Sequence, residues 1–230
     1  MRLMSPMIAA LVLVASGALA EERLTVIGEG QAFARPDLAT VRIGVETVAG
    51  TAAAAMTDNS SQAAALIAAA KARGVAPADI QTSGLSIYPM FEDRQRVDNS
   101  APKLIGFTVS NEVTLRVRDL PSVGETLGVL VAAGANRMNG VEFGFADDTA
   151  LRDEARRNAV ADALRKAQLY ASAAGVKLGS IFAIEEMGGG GGPSPRAMQF
   201  KMADSSVPVE AGETGVTAMV SIVWEIDEAN

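Results

Sequence analysis

The sequence predicts an α+β fold in which helices pack on one face of a mainly antiparallel sheet. Apolar and polar residues alternate over several segments, which is the pattern of strands with one wet face. Between these segments the apolar period changes to that of a helix. Three helical segments end at a glycine, at Gly74, Gly134 and Gly175, and the chain then returns to a strand pattern. A chain in which each helix is followed by a strand favours such a layered arrangement.

The first 20 residues have the pattern of a secretory signal peptide. Arg2 supplies a positive charge, residues 7–14 are apolar, and the Ala-Leu-Ala at 18–20 is typical of a cleavage site. The apolar stretch is too short to cross a hydrocarbon core of ~30 Å as a helix. We therefore expect removal of this signal peptide and export of residues 21–230 to the periplasm, with no transmembrane segment in the mature chain.

The first half of the mature chain is predicted to form strands around one helix. Residues 24–30 and 39–46 alternate in polarity and are separated by a turn at Pro36-Asp37. Small apolar residues then recur at helical spacing over 51–73, and residues 85–91 alternate again. These segments supply the first three strands and the first helix.

The longest predicted strand covers residues 105–117 and follows a charged, turn-rich loop at 92–103. Its apolar residues lie on one face, so we expect it to be half-exposed in an antiparallel sheet. A short helix from Pro121 to Gly134 comes next, and a strand over 141–145 follows it.

The C-terminal part contains the strongest helix pattern, over residues 148–174. Residues 181–186 are apolar on both faces, which favours a central strand. A flexible Gly/Pro-rich arm is expected over 188–206, beginning with the glycines at 188–192. The alternating residues 216–226 predict the closing strand.

Composition excludes several classes of function. The 230 residues include 20 Lys and Arg against 27 Asp and Glu, a net charge of −7, with no His and no Cys. Without these two residue types the chain lacks the usual general base, thiol nucleophiles and the commonest ligands of zinc and haem. An acidic chain also repels phosphate backbones. We expect no cofactor, no metal and no nucleic-acid partner.

Charged residues on the predicted long helix were the first candidates for a site. Asp147, Asp148, Asp153 and Glu154 suit helix capping, although such a cluster can also bind Ca²⁺ or perform acid–base chemistry. Lys166 is a candidate nucleophile without an identifiable base. Ion pairs at helical spacing predict a solvated face or an assembly face. We expect no catalytic, cofactor-binding or metal-binding residue.

Small residues form two patterns with structural interpretations. Gly28-Glu29-Gly30 resembles part of a dinucleotide-binding fingerprint, but the helix required to start there is missing, so glycines permitting a strand bulge are expected. An alanine stripe on the long helix can pack on the chain's own sheet or on another subunit. Its members are Ala155, Ala159, Ala163 and Ala167.

Apolar residues alternate within the arm, at Met198, Phe200 and Met202. They predict either a short edge strand or an adaptable apolar patch that contacts a partner. Together with the long strand 105–117, which an edge from another subunit could extend, they are the expected assembly contacts.

Several segments resemble the SIMPL-domain family of exported bacterial proteins. They include Ile27-Gly28-Glu29-Gly30, Ile80-Gln81-Thr82-Ser83, Ala133-Gly134-Ala135-Asn136 and the block from Ala174 to Gly179. The resemblance extends over essentially the whole mature chain. It implies similarity to periplasmic immunogenic proteins and to proteins of oxidative-stress defence, and ring-like homo-oligomers.

The sequence therefore favours a non-enzymatic periplasmic envelope protein. We expect it to self-assemble and to take part in protection against oxidative stress or to bind envelope partners. The alternative is a carboxylate-based hydrolase with an unrecognised site. The absence of His and Cys and of a converging motif favours the first interpretation.

The signal peptide leads to a direct test. We expect the exported protein to begin at Glu21, because the small residues before it suit cleavage. Intact mass spectrometry of the periplasmic protein should show the loss of residues 1–20. A periplasmic species that retains Met1 would contradict this prediction.

Overall fold

The computed structural model describes residues 22–92, 102–188, 194–196 and 209–228. Short 3₁₀ turns at Pro77–Asp79 and Leu120–Ser122 precede β3 and α2. The strands and α-helices are β1 (Arg23–Ala34), β2 (Leu38–Ala49), α1 (Ala52–Ala72), β3 (Ile80–Phe91), β4 (Leu104–Val117), α2 (Val123–Ala132), β5 (Arg137–Gly144), α3 (Thr149–Ala174), β6 (Val176–Glu186), β7 (Ser194–Arg196) and β8 (Glu213–Glu228).

The strands form two antiparallel sheets, which confirms the α+β prediction. In sheet A the order is β1-β8-β6, and β7 also pairs with β8. In sheet B the order is β3-β4-β2-β5. Each sheet has its own helix packed on one face, α3 on sheet A and α1 on sheet B.

Sheet B and its helices enclose the larger core. Alternate residues of β2 and β4 point inward and meet one face of α1, and α2 closes the end. Aliphatic side chains fill this space, in accord with the alternation seen in the sequence. The fully buried large ones include Val41, Ile43, Val45, Leu66, Val113, Leu115, Leu127 and Leu130.

A buried asparagine ties α1 to sheet B. Asn59 is fully buried, and its amide nitrogen donates to the carbonyl oxygens of Val45 at 3.1 Å and Val109 at 3.0 Å. The Thr47 hydroxyl donates to the Ala55 carbonyl at 2.8 Å. These bonds fix the helix over β2 and β4, because a buried polar group is costly when it is unpaired.

Helix α3 lies unusually close to β1 through the predicted alanine stripe. Ala155, Ala159 and Ala163 are fully buried. A Cβ added at Gly28 would lie 2.7 Å from the Ala163 Cβ, and one at Gly30 would overlap the Ala155 carbonyl. The stripe therefore packs on the chain's own sheet, as one of the two interpretations predicted.

The glycines of β1 do not form the expected bulge. The register between β1 and β8 is continuous from Arg23 to Ala34. Gly28 and Gly30 instead remove side chains where a helix passes over the strand. A helix follows neither glycine directly, which agrees with the rejection of a dinucleotide fingerprint.

Asp37 links the two sheets at the turn between β1 and β2. Its backbone N–H donates to the Gly144 carbonyl at 3.1 Å, at the end of β5. Its carboxylate accepts from the Ala146 N–H at 2.7 Å, on the path from β5 into α3. One residue therefore holds both crossings between sheet A and sheet B.

Two predicted positions in the sheets were wrong. Strand β6 lies at an edge of sheet A, not at its centre, and β8 is the central strand. Strand β4 pairs with β2 and with β3 over most of its length, so no edge of it is left for another subunit to extend. Its half-exposed character is confirmed, since its odd-numbered residues from Val109 to Val117 face the core.

The described residues on either side of positions 189–193 both bond to β8. The Met187 N–H donates to the Met219 carbonyl at 3.0 Å, and β7 pairs with β8 from Ser194 to Arg196. The chain at 194–196 thus pairs with sheet A, whereas the sequence predicts it as part of a flexible arm. Met198, Phe200 and Met202 lie outside the described residues.

The contact between α3 and β1 gives a stability prediction. Gly30→Ala should lower the free energy of unfolding by about 1–3 kcal/mol, because the new methyl group meets helix backbone. Gly50→Ala is the matched control, since a Cβ there meets nothing within 4 Å and should change stability by less than about 0.5 kcal/mol. Urea unfolding measures both. Equal unfolding midpoints for the two variants would contradict the close packing.

Candidate functional site

Three polar side chains from three strands converge on the outer face of sheet B. The Ser83 hydroxyl on β3 donates to one carboxylate oxygen of Glu112 at 3.0 Å. The Asn139 amide on β5 donates to the other oxygen of that carboxylate. Glu112 belongs to β4 and faces away from α1, so this group lies on the side of the sheet that no helix covers.

Both donors occupy irregular positions in edge strands. The β3–β4 register shifts between Thr82 and Gly84, which makes Ser83 an extra residue. The β2–β5 register shifts where Asn139 lies, between Met138 and Gly140. Bulges commonly redirect a side chain next to a functional site. Here two bulges on opposite edges direct their side chains to one carboxylate.

A glycine opens the path between Glu112 and Asn139. Strand β2 runs between β4 and β5, and Gly44 is the residue of β2 opposite Glu112. A side chain at Gly44 would stand between the carboxylate and the amide. A Cβ there would also overlap the Asn111 carbonyl, so the fold itself requires this glycine.

The arginines around Glu112 have carboxylate partners of their own. Arg42 pairs with Glu142, and Arg137 pairs with Glu46. Within the described part of the chain Glu112 has no cationic partner and is held by neutral donors alone. We call Ser83, Glu112 and Asn139 the Glu112 cluster.

Helix α3 places a second row of polar side chains over the free edge of β1. The Lys166 ammonium donates to the Ile27 carbonyl at 3.1 Å. Asp162 accepts from the Glu29 N–H at 3.1 Å, and Asn158 donates to the Gln31 carbonyl at 2.8 Å. Alternate residues of a strand direct their backbone groups to the same edge, so α3 satisfies the edge that another strand would otherwise use.

Asp162 is the centre of this row. Its carboxylate also accepts from Lys166 at 2.7 Å and from Arg165 at 2.6 Å. The Lys166 ammonium, the Glu29 N–H and the Arg165 guanidinium hold the pKa of Asp162 well below its usual range. Lys166 is therefore a clamp on backbone, and the structure gives no support for a nucleophile.

The acidic residues at the start of α3 act in capping and ion pairing. Asp147 accepts from the Thr149 N–H at 2.9 Å, and Asp148 pairs with Arg152 at 2.6 Å. Asp153 pairs with Arg156 at 2.9 Å. Bonds from the Thr149 hydroxyl and N–H lower the pKa of Asp147, and the bond from the Arg152 guanidinium lowers the pKa of Asp148. Among the described residues, no three acidic side chains are grouped as metal ligands.

Sequence analysis missed the Glu112 cluster. The alternation of β4 placed Glu112 on a wet face, but the bulges that bring Ser83 and Asn139 to it depend on pairing between distant strands. One local signal was available, since Gly84 interrupts a strand pattern and such a glycine often marks a close approach.

Comparison with known proteins agrees with the motifs found in the sequence. Residues 24–224 match the family model SIMPL, which is described as a protein of unknown function (DUF541). The chain belongs to the SIMPL family. The resemblance inferred from the motifs is therefore confirmed, and the match includes both sheets and all three helices.

Relatives of this SIMPL chain are similar over most of their length. The 26 kDa periplasmic immunogenic protein of Brucella melitensis is 36% identical over 213 residues, which are 89% of this chain and 84% of the relative. The uncharacterized protein YggE of Escherichia coli is 28% identical over 200 residues, 87% of this chain and 79% of the relative. In the part of the SIMPL chain that the structure describes, no helix is long and apolar enough to cross a membrane.

The clamp of this SIMPL chain predicts a pH-dependent stability. A lowered pKa in the folded state means that the Asp162 carboxylate stabilises the fold above its unfolded pKa of about 3.9. This stabilisation is lost as the pH falls from about 3.9 towards the lower pKa that Asp162 has in the folded state. Asp162→Asn should therefore lower the urea midpoint at neutral pH, and the difference from the native protein should narrow below about pH 4.

Asp153→Asn is the control for this measurement. Asp153 also pairs with an arginine one turn along α3, but it has no bond to β1. Its replacement should have the smaller effect at neutral pH. An Asp162 variant as stable as the native protein at neutral pH would show that the clamp contributes nothing.

Proposed function

We propose that this protein is an exported, non-enzymatic envelope protein that works by assembling with copies of itself. The name of the Brucella relative supports a periplasmic location. The Ala-Leu-Ala at 18–20 supports export through a cleaved signal peptide. Protection against oxidative stress, which the family resemblance implies, is part of the same proposal.

The observation that carries the assembly proposal is the exposed apolar edge at β6. Ile184 and Ile181 are apolar residues of the edge strand β6, and they are 58% and 50% exposed. On α3, Val160 and Leu164 follow Arg156 at intervals of four residues, and Arg156 bonds to Glu186 on β6 at 3.0 Å. The helix and the strand thus carry exposed apolar side chains on either side of this ion pair, and we call them the apolar patch.

The two edges of sheet A are treated in opposite ways. Polar side chains of α3 occupy the backbone groups of β1, whereas the outer edge of β6 has no partner strand among the described residues. A free strand edge with apolar side chains is a template for strand addition. This contrast favours β6 as the contact between copies. Met198, Phe200 and Met202 remain predicted contacts.

The Glu112 cluster does not favour the alternative of a carboxylate-based hydrolase. A pair of carboxylates that divides the roles of acid and base is the usual arrangement in such enzymes. Glu112 instead bonds to a serine and an amide on an open sheet face. This arrangement supports the non-enzymatic proposal.

Light scattering of the purified exported protein tests the assembly. We expect a mass of at least two chains, and Ile184→Lys should reduce it because a charge would enter the apolar patch. Thr25→Lys is the matched control, since Thr25 is exposed on β1 of the same sheet. Phe200→Asp tests the predicted contact in the arm.

The possible results distinguish the parts of the proposal. A monomer for the native protein at micromolar concentrations would overturn the assembly. An oligomer that survives Ile184→Lys but dissociates with Phe200→Asp would move the contact to the arm. The stress role is tested by exposing a deletion strain to hydrogen peroxide and measuring its survival. The same measurement is made after the native gene or the Ile184→Lys gene is restored.

A further inference from the structure

The outer face of sheet B has a glycine that the fold does not require. Gly84 lies in β3 directly opposite Glu112. A Cβ added there would meet only the Glu112 Cβ, at 3.8 Å, and the residue has no positive φ. Gly84 follows Ser83, the extra residue of the bulge, but neither a close neighbour nor a positive φ requires a glycine at this position. Glycine weakens a strand interior, and it often marks the place where a ligand approaches the backbone.

Exposed backbone at Gly84 lies beside Glu112, and we call this open strip of β3 the trough. Gly84 on one side and Gly44 on the other are the cross-strand neighbours of Glu112. Residues directly opposite each other share a face, so neither neighbour raises a side chain beside the carboxylate. Gly84 is exposed and Gly44 is buried, so open backbone adjoins the carboxylate on the β3 side alone.

The Glu112 cluster supplies a fixed set of hydrogen-bonding groups to this trough. Each carboxylate oxygen accepts one bond, from Ser83 or from Asn139, and each oxygen has a further lone pair. The Asn139 amide adds its carbonyl oxygen and a second N–H. A carboxylate oriented in this way accepts hydroxyl donors without having to reorganise.

The charge of this face does not favour an anionic ligand, because Glu112 has no cationic partner among the described residues. Arg42 and Arg137 are each paired with a carboxylate of a neighbouring strand, so neither is free to recognise an anion. Ser86 follows Gly84 on the same face, opposite Ser110, and adds hydroxyl groups. The surface is therefore polar, flat and rich in both donors and acceptors.

An exposed aromatic ring lies farther along the same face. Tyr88 pairs with Thr108 and is 61% exposed. It is four residues from Gly84, or about 13 Å along the strand. That separation suits an extended ligand with several rings rather than a single small molecule.

We propose that this face binds a flat, neutral oligosaccharide. Hydroxyl groups of one sugar donate to Glu112 and bond to Asn139, the ring lies over the backbone at Gly84, and a further ring stacks on Tyr88. The proposal concerns sheet B and does not depend on the assembly at β6. A β-1,4-linked ribbon fits a flat trough, whereas a coiled α-1,4-linked chain does not.

Saturation-transfer NMR and calorimetry on the full exported protein test this binding. Cellotetraose and chitotetraose are the ribbon probes, maltotetraose is the coiled probe, and spermidine is the cationic probe. We expect the ribbons to bind at millimolar concentration. Glu112→Ala should weaken this binding about tenfold, because it removes charged hydrogen bonds.

Gly84→Val separates binding from folding. Valine suits a strand and has space at this position, so the unfolding midpoint should not fall. Its side chain would occupy the trough and should weaken ribbon binding at least about tenfold if ligand and backbone touch. Thr25→Val on sheet A is the control and should change binding less than about twofold.

Several results would overturn the proposal. One is the absence of binding by both ribbons, and another is ribbon binding that Gly84→Val leaves unchanged. Maltotetraose binding as tightly as the ribbons would remove the argument from flatness. Displacement of a ribbon by spermidine would show that Glu112 serves a cation instead. Loss of oligomerisation with Ile184→Lys has no bearing on any of these results.

Discussion

The close approach of α3 to β1 is the constraint on which the rest of sheet A depends. Gly28 and Gly30 present no side chains, and the alanine stripe fills only a thin layer between helix and strand. Because the helix axis lies so near the strand, side chains as short as Asn158 and Asp162 reach the backbone of β1. The small residues of α3 and β1 thus allow the close packing of the helix on the strand. This packing also lets side chains of α3 bond to the outer edge of β1.

The two sheets pack against their helices through different kinds of residue. Sheet A uses glycine against alanine, whereas sheet B uses branched aliphatic side chains against α1 and α2. Asn59 fixes α1 by bonds to two strands of sheet B. In both cases the helix covers a single face. The opposite face of sheet B is consequently free to carry the polar groups around Glu112.

Local patterns predicted the elements better than their partners. The helices at 52–72 and 149–174 followed from apolar spacing and glycine ends, because both signals are local. The edge position of β6 did not follow, since apolar residues on both faces usually indicate a central strand. The Glu112 cluster depends on registers between β3, β4, β2 and β5, which no single segment encodes.

The ladder of α3 side chains along β1 makes the two sides of sheet A chemically unequal. Head-to-tail stacking of copies requires the β1 edge of one copy to pair with the β6 edge of the next. Asn158, Asp162 and Lys166 already bond to the backbone groups of the β1 edge. Pairing through this sheet must then join two β6 edges about a twofold axis, and such a contact is complete after one partner. The side chains of α3 therefore block open-ended fibre growth through sheet A at its β1 edge.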